Sequence, residues 1–456
     1  MRIMEPIAKR PIAARHIILL LLMCCSIAFC DYEFTQLLKS TNPSLWEIDY
    51  SKLQNETRKK AEFYFNDKSQ KEVRYALSNR RGILKFGGMT VYEALIALDN
   101  QKLSEITLSI FNRGDGGSWG TDNLEHAIRI ITAIIKEMHP EIQPVSEKTK
   151  IGRNKTEILR WDSSDRFYQL KWSIGESGKK SFCEYLTLVI SKSQIDSAKQ
   201  AMKTGINDSN ELKQRLKVNE NGLRYLEIPM VNQGEKGYCV VAVLERILQY
   251  YGSEFDQHQL AQLAKTDYRG TALDNMLAAV KKADSKLGIS MQQLYINRSY
   301  ENLHDFQVMI KDYNRAARKA NENEIKQKKY LITRNNASGY NISALMREMK
   351  SEIFIQSRVD GERIAYKKFC DNIEKNIDAG TPLVWCVILG LVKEKNAPQA
   401  MGAHMRLITG YNPKTMEISY SDSWGFGHEV KIMSTPAAWA ITTWLGSIVP
   451  RVNNPR

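Results

Sequence analysis

The 456 residues carry 65 Lys and Arg against 51 Asp and Glu, a formal net charge of +14, and are 43% hydrophobic. That length exceeds what one compact core holds and points to two folded domains. The lysines are scattered and no basic motif is interleaved with aromatics, which argues against nucleic acid as a partner; a solvated surface and association with an anionic envelope surface both fit the charge.

The first 30 residues have a basic start, Arg2, Lys9, Arg10 and Arg15, followed by the apolar run IILLLLMCCSIAF. This is the pattern of a signal peptide, with an apolar stretch too short to span a bilayer comfortably. Cleavage is expected before Asp31, after Ala28-Phe29-Cys30, with lipid attachment at a cysteine or an uncleaved anchor as the alternatives. The expected location is secreted, periplasmic or cell envelope. Removing the segment takes away a net +3 and leaves +11. The cysteines beyond it are Cys183, Cys239, Cys370 and Cys386. No CxxC or Cys/His cluster has ligand spacing, so a structural zinc site is not expected; the thiol chemistry read below implies no metal or organic cofactor. Cys370 and Cys386 could pair or stay as free thiols.

Residues 31–200 read as a small α+β domain of unassigned role. A polar helical stretch over 33–80 precedes a strand segment, TVYEALIALDNQKLSEITLSIFN, and a glycine loop holding Gly114, Gly116 and Gly117. A helix follows, capped by Asp122 or Asn123, with Ile128, Ile131, Ile134 and Ile135 on its buried side. Strands are expected at EILRWDS, FYQLKWSI and EYLTLVISK. The glycine loop lacks the Lys-Ser/Thr of a phosphate loop and reads as a turn. His126 and His139 lie thirteen apart without a third ligand and read as packed or surface residues. The polar run over 201–224 reads as a linker.

The second domain, 225–456, is organised around IPMVNQGEKGYCVVAVLERILQYYG. Val240, Val241, Val243, Leu244, Ile247, Leu248 and Tyr251 recur at helical spacing on more than one face, which predicts a buried helix ended by Gly252. Cys239 stands at its start, where free backbone N–H groups favour a thiolate, the attacking form of a thiol. Two helices are expected over DQHQLAQLAKTDYRGTALDNMLAAVKKADSKLG, with His258 solvated, and then a charged, mostly helical insertion over about 297–370. The insertion reads as a solvated face or as a lid beside a site. Strand chemistry returns at TPLVWCVIL, HMRLITGYN and MEISYSDSWG. His404 opens the second of these strands in an exposed setting suited to a general base, with His428 as its competitor.

Gln-Gly-x-x-Gly-Tyr-Cys running into an apolar helix resembles the nucleophile region of papain-like cysteine peptidases, particularly the bacteriocin-processing type and its secreted bacterial relatives. The resemblance covers about residues 225–450 and implies a helical half plus an antiparallel β half. It implies Cys239 as nucleophile, with the Gln233 side chain and the Cys239 N–H as oxyanion hole. His404 becomes the base, and Asp422, in Asp-Ser-Trp-Gly, orients it, with Trp424 shielding their hydrogen bond. The expected activity is hydrolysis of a peptide or protein substrate by an exported thiol peptidase. An amidase or transglutaminase-like acyl transferase using the same site, and an inactive envelope-binding module, are the alternatives.

Overall fold

The computed structural model describes residues 31–451, apart from breaks at 40–43, 58–60, 78–82, 152–153, 193–205, 207, 235–236, 254–256, 268–269, 301, 335–336 and 395–400. The signal peptide expected over residues 1–30 falls outside the described residues. Among the described residues, no helix is long and apolar enough to cross a membrane.

The N-terminal part is an eight-stranded sheet. Its order is Tyr64–Phe65, Glu72–Ala76, Glu93–Asp99, Lys102–Asn112, Lys180–Ser191, Phe167–Ser177, Asn154–Asp162 and Val145–Ile151. All its pairings are antiparallel. The apolar segment after Val91 is therefore a hairpin and not one strand. Asn100 and Gln101, at φ 49° and 65°, take the left-handed conformations that a tight hairpin turn needs. Among the described residues, the helical reading of 33–80 holds for Thr35–Lys39, the 3-10 turn Leu45–Glu47 and Tyr50–Thr57, and gives way to strands at Tyr64–Phe65 and Glu72–Ala76. The long helix Thr121–Met138 buries Leu124, Ala127, Ile131 and Ile135, while Ile128 and Ile134 pack at the margin of the core. Its cap is Gly120, two residues earlier than expected, and Asn123 reaches back to accept the Gly120 N–H at 3.2 Å. His139 bonds the Tyr168 hydroxyl at 3.0 Å, a packing role.

One face of this sheet packs apolar residues, and its other face carries a buried polar row. Register places Glu93 opposite Ser109, Ser109 opposite Thr187, and Thr187 opposite Lys171. All four are buried. A polar face is removed from water at little cost only where its groups find partners. Part of this partnering comes from the helix Gln257–Leu263, whose Gln257 Nε2 donates to Glu93 at 3.3 Å; beside the row, Gln259 Nε2 donates to the Thr156 hydroxyl at 3.4 Å and His258 stacks on Tyr185, while within the sheet Asn112 Nδ2 donates to the Ser109 hydroxyl at 3.1 Å and the Thr187 hydroxyl has no partner among the described residues. His258 is thus 4% exposed, not solvated.

Beside this row, the Glu72 carboxyl accepts from Asn66 Nδ2 at 2.7 Å. Burial chiefly pushes it up to about 7, with Arg74 opposing and Glu93 and Asp67 adding to the rise. A carboxyl raised above its unfolded value supplies stability that is complete below the unfolded value and is lost as pH rises through 7. Glu72→Gln, which mimics the protonated acid, should therefore gain about 1–3 kcal/mol over the parent at pH 8 and nothing at pH 4, read from urea midpoints.

The C-terminal part has the order Lys217–Val218, Arg224–Tyr225, Gly402–Asn412, Leu383–Leu389, Thr442–Pro450 and Ile289–Ile296. Glu417–Ser421 also pairs with Gly402–Asn412 and carries Lys431–Ser434 on its far side. The helices Cys239–Tyr250, Gln257–Leu263 and Leu273–Leu287 form the helical half. The insertion contains the helices Leu303–Lys319, Ser351–Gly361 and Arg363–Asp378, and a hairpin, Leu331–Arg334 with Ala337–Tyr340. It is not a solvated appendage. Phe306, Ile310, Tyr313, Phe354 and Phe369 are buried in one core with Trp385 and Trp439. Part of this core is visible along the chain, since Phe306, Met309, Ile310, Tyr313 and Ala317 recur at helical spacing on Leu303–Lys319, but what covers that stripe is decided only where the helices meet in space.

Candidate active site

The helix Cys239–Tyr250 buries nearly all its side chains, including Val240, Val241, Val243, Ile247 and Leu248. That burial fixes its N-terminus, and Cys239 is the first helical residue. Facing it is the strand Gly402–Asn412. Gly402 and Ala403 are exposed, but His404 is only 7% exposed, so the exposed strand start ends one residue before the imidazole. The thiol and the His404 ring face each other closely enough to shift one another's proton affinity. Burial works against the Cys239 thiolate, but His404 outweighs it, and the thiol lies below its ordinary value. Burial likewise works against the imidazolium, but Asp422 and Cys239 outweigh it, and His404 lies above its ordinary value. Opposite displacements of two interacting groups bring their proton affinities closer together, which favours proton exchange between them.

His404 Nε2 meets Asp422 Oδ1 at 3.1 Å. With Nε2 committed to the carboxylate, Nδ1 is the nitrogen left to exchange a proton with sulfur. Trp424 stacks on the imidazole at 4.5 Å between centroids and 15° between planes, covering this bond. His428 meets Trp424 edge-on, and its backbone carbonyl accepts the Asp422 N–H at 3.1 Å. Burial and then Lys431 hold it below its ordinary value. It supports the turn and stands apart from the imidazole role. Gln233 is 8% exposed, and its N–H donates to the Ser423 carbonyl at 2.8 Å. This ties the segment before the cysteine to the end of the strand that carries Asp422. Cys183, Cys370 and Cys386 are free thiols, each pushed up by burial.

Several residues of the site escaped the sequence reading. Arg406 Nε donates to Asp422 Oδ1 at 2.7 Å, and its NH2 lies 2.9 Å from Glu394, which also accepts the Tyr420 hydroxyl at 2.6 Å. Lys431 Nζ lies 3.2 Å from Asp422 Oδ2. Burial works against the carboxylate, yet His404 and Arg406 hold Asp422 well below its ordinary value. Arg246, fully buried, donates to the Asp422 carbonyl at 3.1 Å, the Ser421 hydroxyl at 2.6 Å and the Pro229 carbonyl at 2.7 Å. A signal existed for Arg406, the lone Lys, Arg, Asp or Glu in an otherwise apolar strand, whereas Arg246 follows Glu245 directly and reads along the chain as half of an ordinary charged pair. Arg406 also follows His404 by two, and residues two apart on a strand share a face.

A thiol at the start of a buried helix, an imidazole on a facing antiparallel strand and a carboxylate behind it define the papain-like class of cysteine hydrolases. Residues 227–344 match the model of the Peptidase C39 family, a span that holds Gln233 and Cys239 and ends before His404 and Asp422. The chain thus carries a papain-like cysteine peptidase of the C39 type. Among solved structures it is similar to the peptidase domain of Streptococcus ComA, a bi-functional ABC transporter involved in a quorum sensing pathway. The identity is 16%, covering 48% of this chain and 97% of that chain, with a TM-score of 0.23. No curated protein matches the chain. Among the described residues, no group of three or more His, Cys, Asp or Glu could hold a metal ion.

Proposed function

We propose that the protein cleaves peptide bonds through Cys239, His404 and Asp422, with Gln233 and the Cys239 N–H binding the oxyanion. The observation that carries this reading is the contact of the depressed Cys239 thiol with a His404 ring whose other nitrogen is held by Asp422. The thiolate attacks the scissile carbonyl, and the carbonyl electron pair moves onto oxygen. Two donors then face that oxygen, one a free N–H of the helix start. Collapse expels the amine, which takes its proton from His404 Nδ1, and leaves a thioester on Cys239. Water, deprotonated by His404, attacks the thioester and releases the acid, returning the proton to the ring. Asp422 stays ionised throughout and holds the imidazole in its productive tautomer. The buried pairing with Arg406 and Lys431 favours that role, since a carboxylate so held does not take up the ring proton.

The test is digestion of casein and a peptide library, with products read by mass spectrometry. New peptide termini are expected; deamidated or cross-linked side chains with intact backbones would instead favour the amidase or acyl-transferase reading. Iodoacetamide at pH 6 should label Cys239 at least tenfold faster than Cys370 or Cys386 and stop hydrolysis in proportion. Equal labelling of all three would favour an inactive binding module. We further propose export, on the signal-like pattern of residues 1–30, to be tested by cell fractionation.

A further inference from the structure

The N-terminal sheet grips the segment around Gln233 from both sides. Arg74, on the strand Glu72–Ala76, is 1% exposed and lies 158 residues ahead of the backbone carbonyl it holds, that of Asn232. Its guanidinium is held in turn by Glu93 at 2.6 Å, and Glu93 is fixed by Gln257. Gly234, at φ +71°, packs directly on that guanidinium: a Cβ there would lie 2.5 Å from NH2. The Asn232 side chain closes the turn by accepting the Gly234 N–H at 2.9 Å. Gln233 therefore sits between two residues that Arg74 holds. Closer to the nucleophile, the Tyr238 hydroxyl donates to Asn112 Oδ1 at 3.4 Å, and Gly114 lies so near the Tyr238 ring that a Cβ would come within 2.4 Å of it. Tyr238 also meets His258 edge-on at 6.1 Å, and His258 stacks on Tyr185 of the sheet.

A side-chain donor stabilises an oxyanion only if it is held in place before the charge develops, because a donor that must reorganise gives back much of what it contributes. The C-terminal half meets this turn through the Ser423 carbonyl, which accepts the Gln233 N–H, and through Gly425, which packs on the Asn232 side chain; Arg74 adds the hold on the Asn232 carbonyl. A planar guanidinium can hold a carbonyl and a carboxylate at once, which a point-charge ammonium does poorly. We infer that Arg74 is a positioning residue for the oxyanion donor Gln233, so that the N-terminal domain completes the peptidase site. This rests on the assignment of Gln233 proposed above. It gives the N-terminal sheet a task that its own sequence does not disclose: without its polar face against Gln257–Leu263 and its arginine under Asn232, the thiolate remains but the oxyanion site loses its frame.

The experiment uses the full chain in six forms: parent, Arg74→Lys, the charge-neutral double variant Arg74→Met/Glu93→Gln, Gln233→Ala, and each of the two Arg74 variants combined with Gln233→Ala. Arg74→Lys keeps the ion pair with Glu93, and the double variant leaves no unpaired buried charge, so at least one folded protein is secured; thermal melts verify it. Expected are a fall in kcat of about 10–100-fold in both Arg74 variants, a KM within about twofold of the parent, and an unchanged rate of Cys239 alkylation by iodoacetamide. In the Gln233→Ala background the Arg74 changes should cost less than about threefold more, since the donor they position is already gone. Unchanged kcat in a cooperatively melting Arg74 variant, or the same loss with and without Gln233, overturns the inference while leaving the site assignment in place. Unchanged kcat in Gln233→Ala overturns both.

Discussion

Cys239→Ala is expected to lower kcat/KM for peptide hydrolysis by about 10⁴-fold or more while leaving the fold intact. Losing the nucleophile of a coupled site costs nearly the whole chemical advantage, because the imidazole and oxyanion donors then act on no attacking atom. Stability should change little, since the thiol is half-buried and the helix behind it keeps its buried Val240, Val241 and Ile247. A second readout is independent of turnover. Cys239 is one of the groups that hold His404 above its ordinary value, so the alanine variant should titrate His404 at lower pH, as measured by NMR of the ring protons. Retained hydrolysis, or an unmoved His404 titration, would show that sulfur and imidazole do not form the reacting pair.

Asp422→Ala should show two large losses at once. Removing the group that orients His404 Nε2 is expected to lower kcat/KM by about 10²–10⁴-fold, as the ring loses its fixed tautomer. The carboxylate is also the shared partner of Arg406, fully buried, and Lys431. Taking one member out of a buried ionic cluster leaves charge uncompensated and costs about 3–5 kcal/mol of stability, read from urea unfolding at pH 7. The sign with pH follows from the depressed Asp422 value. Its stabilisation is present above the unfolded carboxylate range and fades as pH falls through the folded value, so parent and variant should converge in strong acid. Asp422→Asn separates the two effects. An amide oxygen can still accept from Nε2, so activity should fall less than with alanine, whereas no charge remains for Arg406 and most of the stability loss should persist. A stability within about 1 kcal/mol of the parent in Asp422→Ala would contradict the buried cluster.

Much of the candidate site is legible along the chain. A cysteine entering an apolar helix after a glycine-rich polar turn, a histidine opening an apolar strand, and an aspartate at the next strand's end are local patterns, and each lies within a dozen residues of its own evidence. Periodicity likewise indicated the helix Cys239–Tyr250 and the strands Leu383–Leu389, Gly402–Asn412 and Glu417–Ser421. The misplacements have local causes too. The hairpin turn at Asn100-Gln101 was passed over as strand, and the cap of the helix Thr121–Met138 falls on a glycine whose N–H is bonded by Asn123.

The linear order of residues by itself determined that a thiol would stand at a helix start and that an imidazole and a carboxylate would lie on neighbouring antiparallel strands, because helical and strand periods are set by contacts a few residues apart. Only the tertiary structure decided what holds them. Arg74 reaches Asn232 across 158 positions, Arg246 reaches Asp422 across 176, and His258 is buried between Tyr185 and Tyr238. A buried charge is tolerated only where its partners converge, and that convergence has no period and no spacing. It exists once two sheets and a helix have packed together.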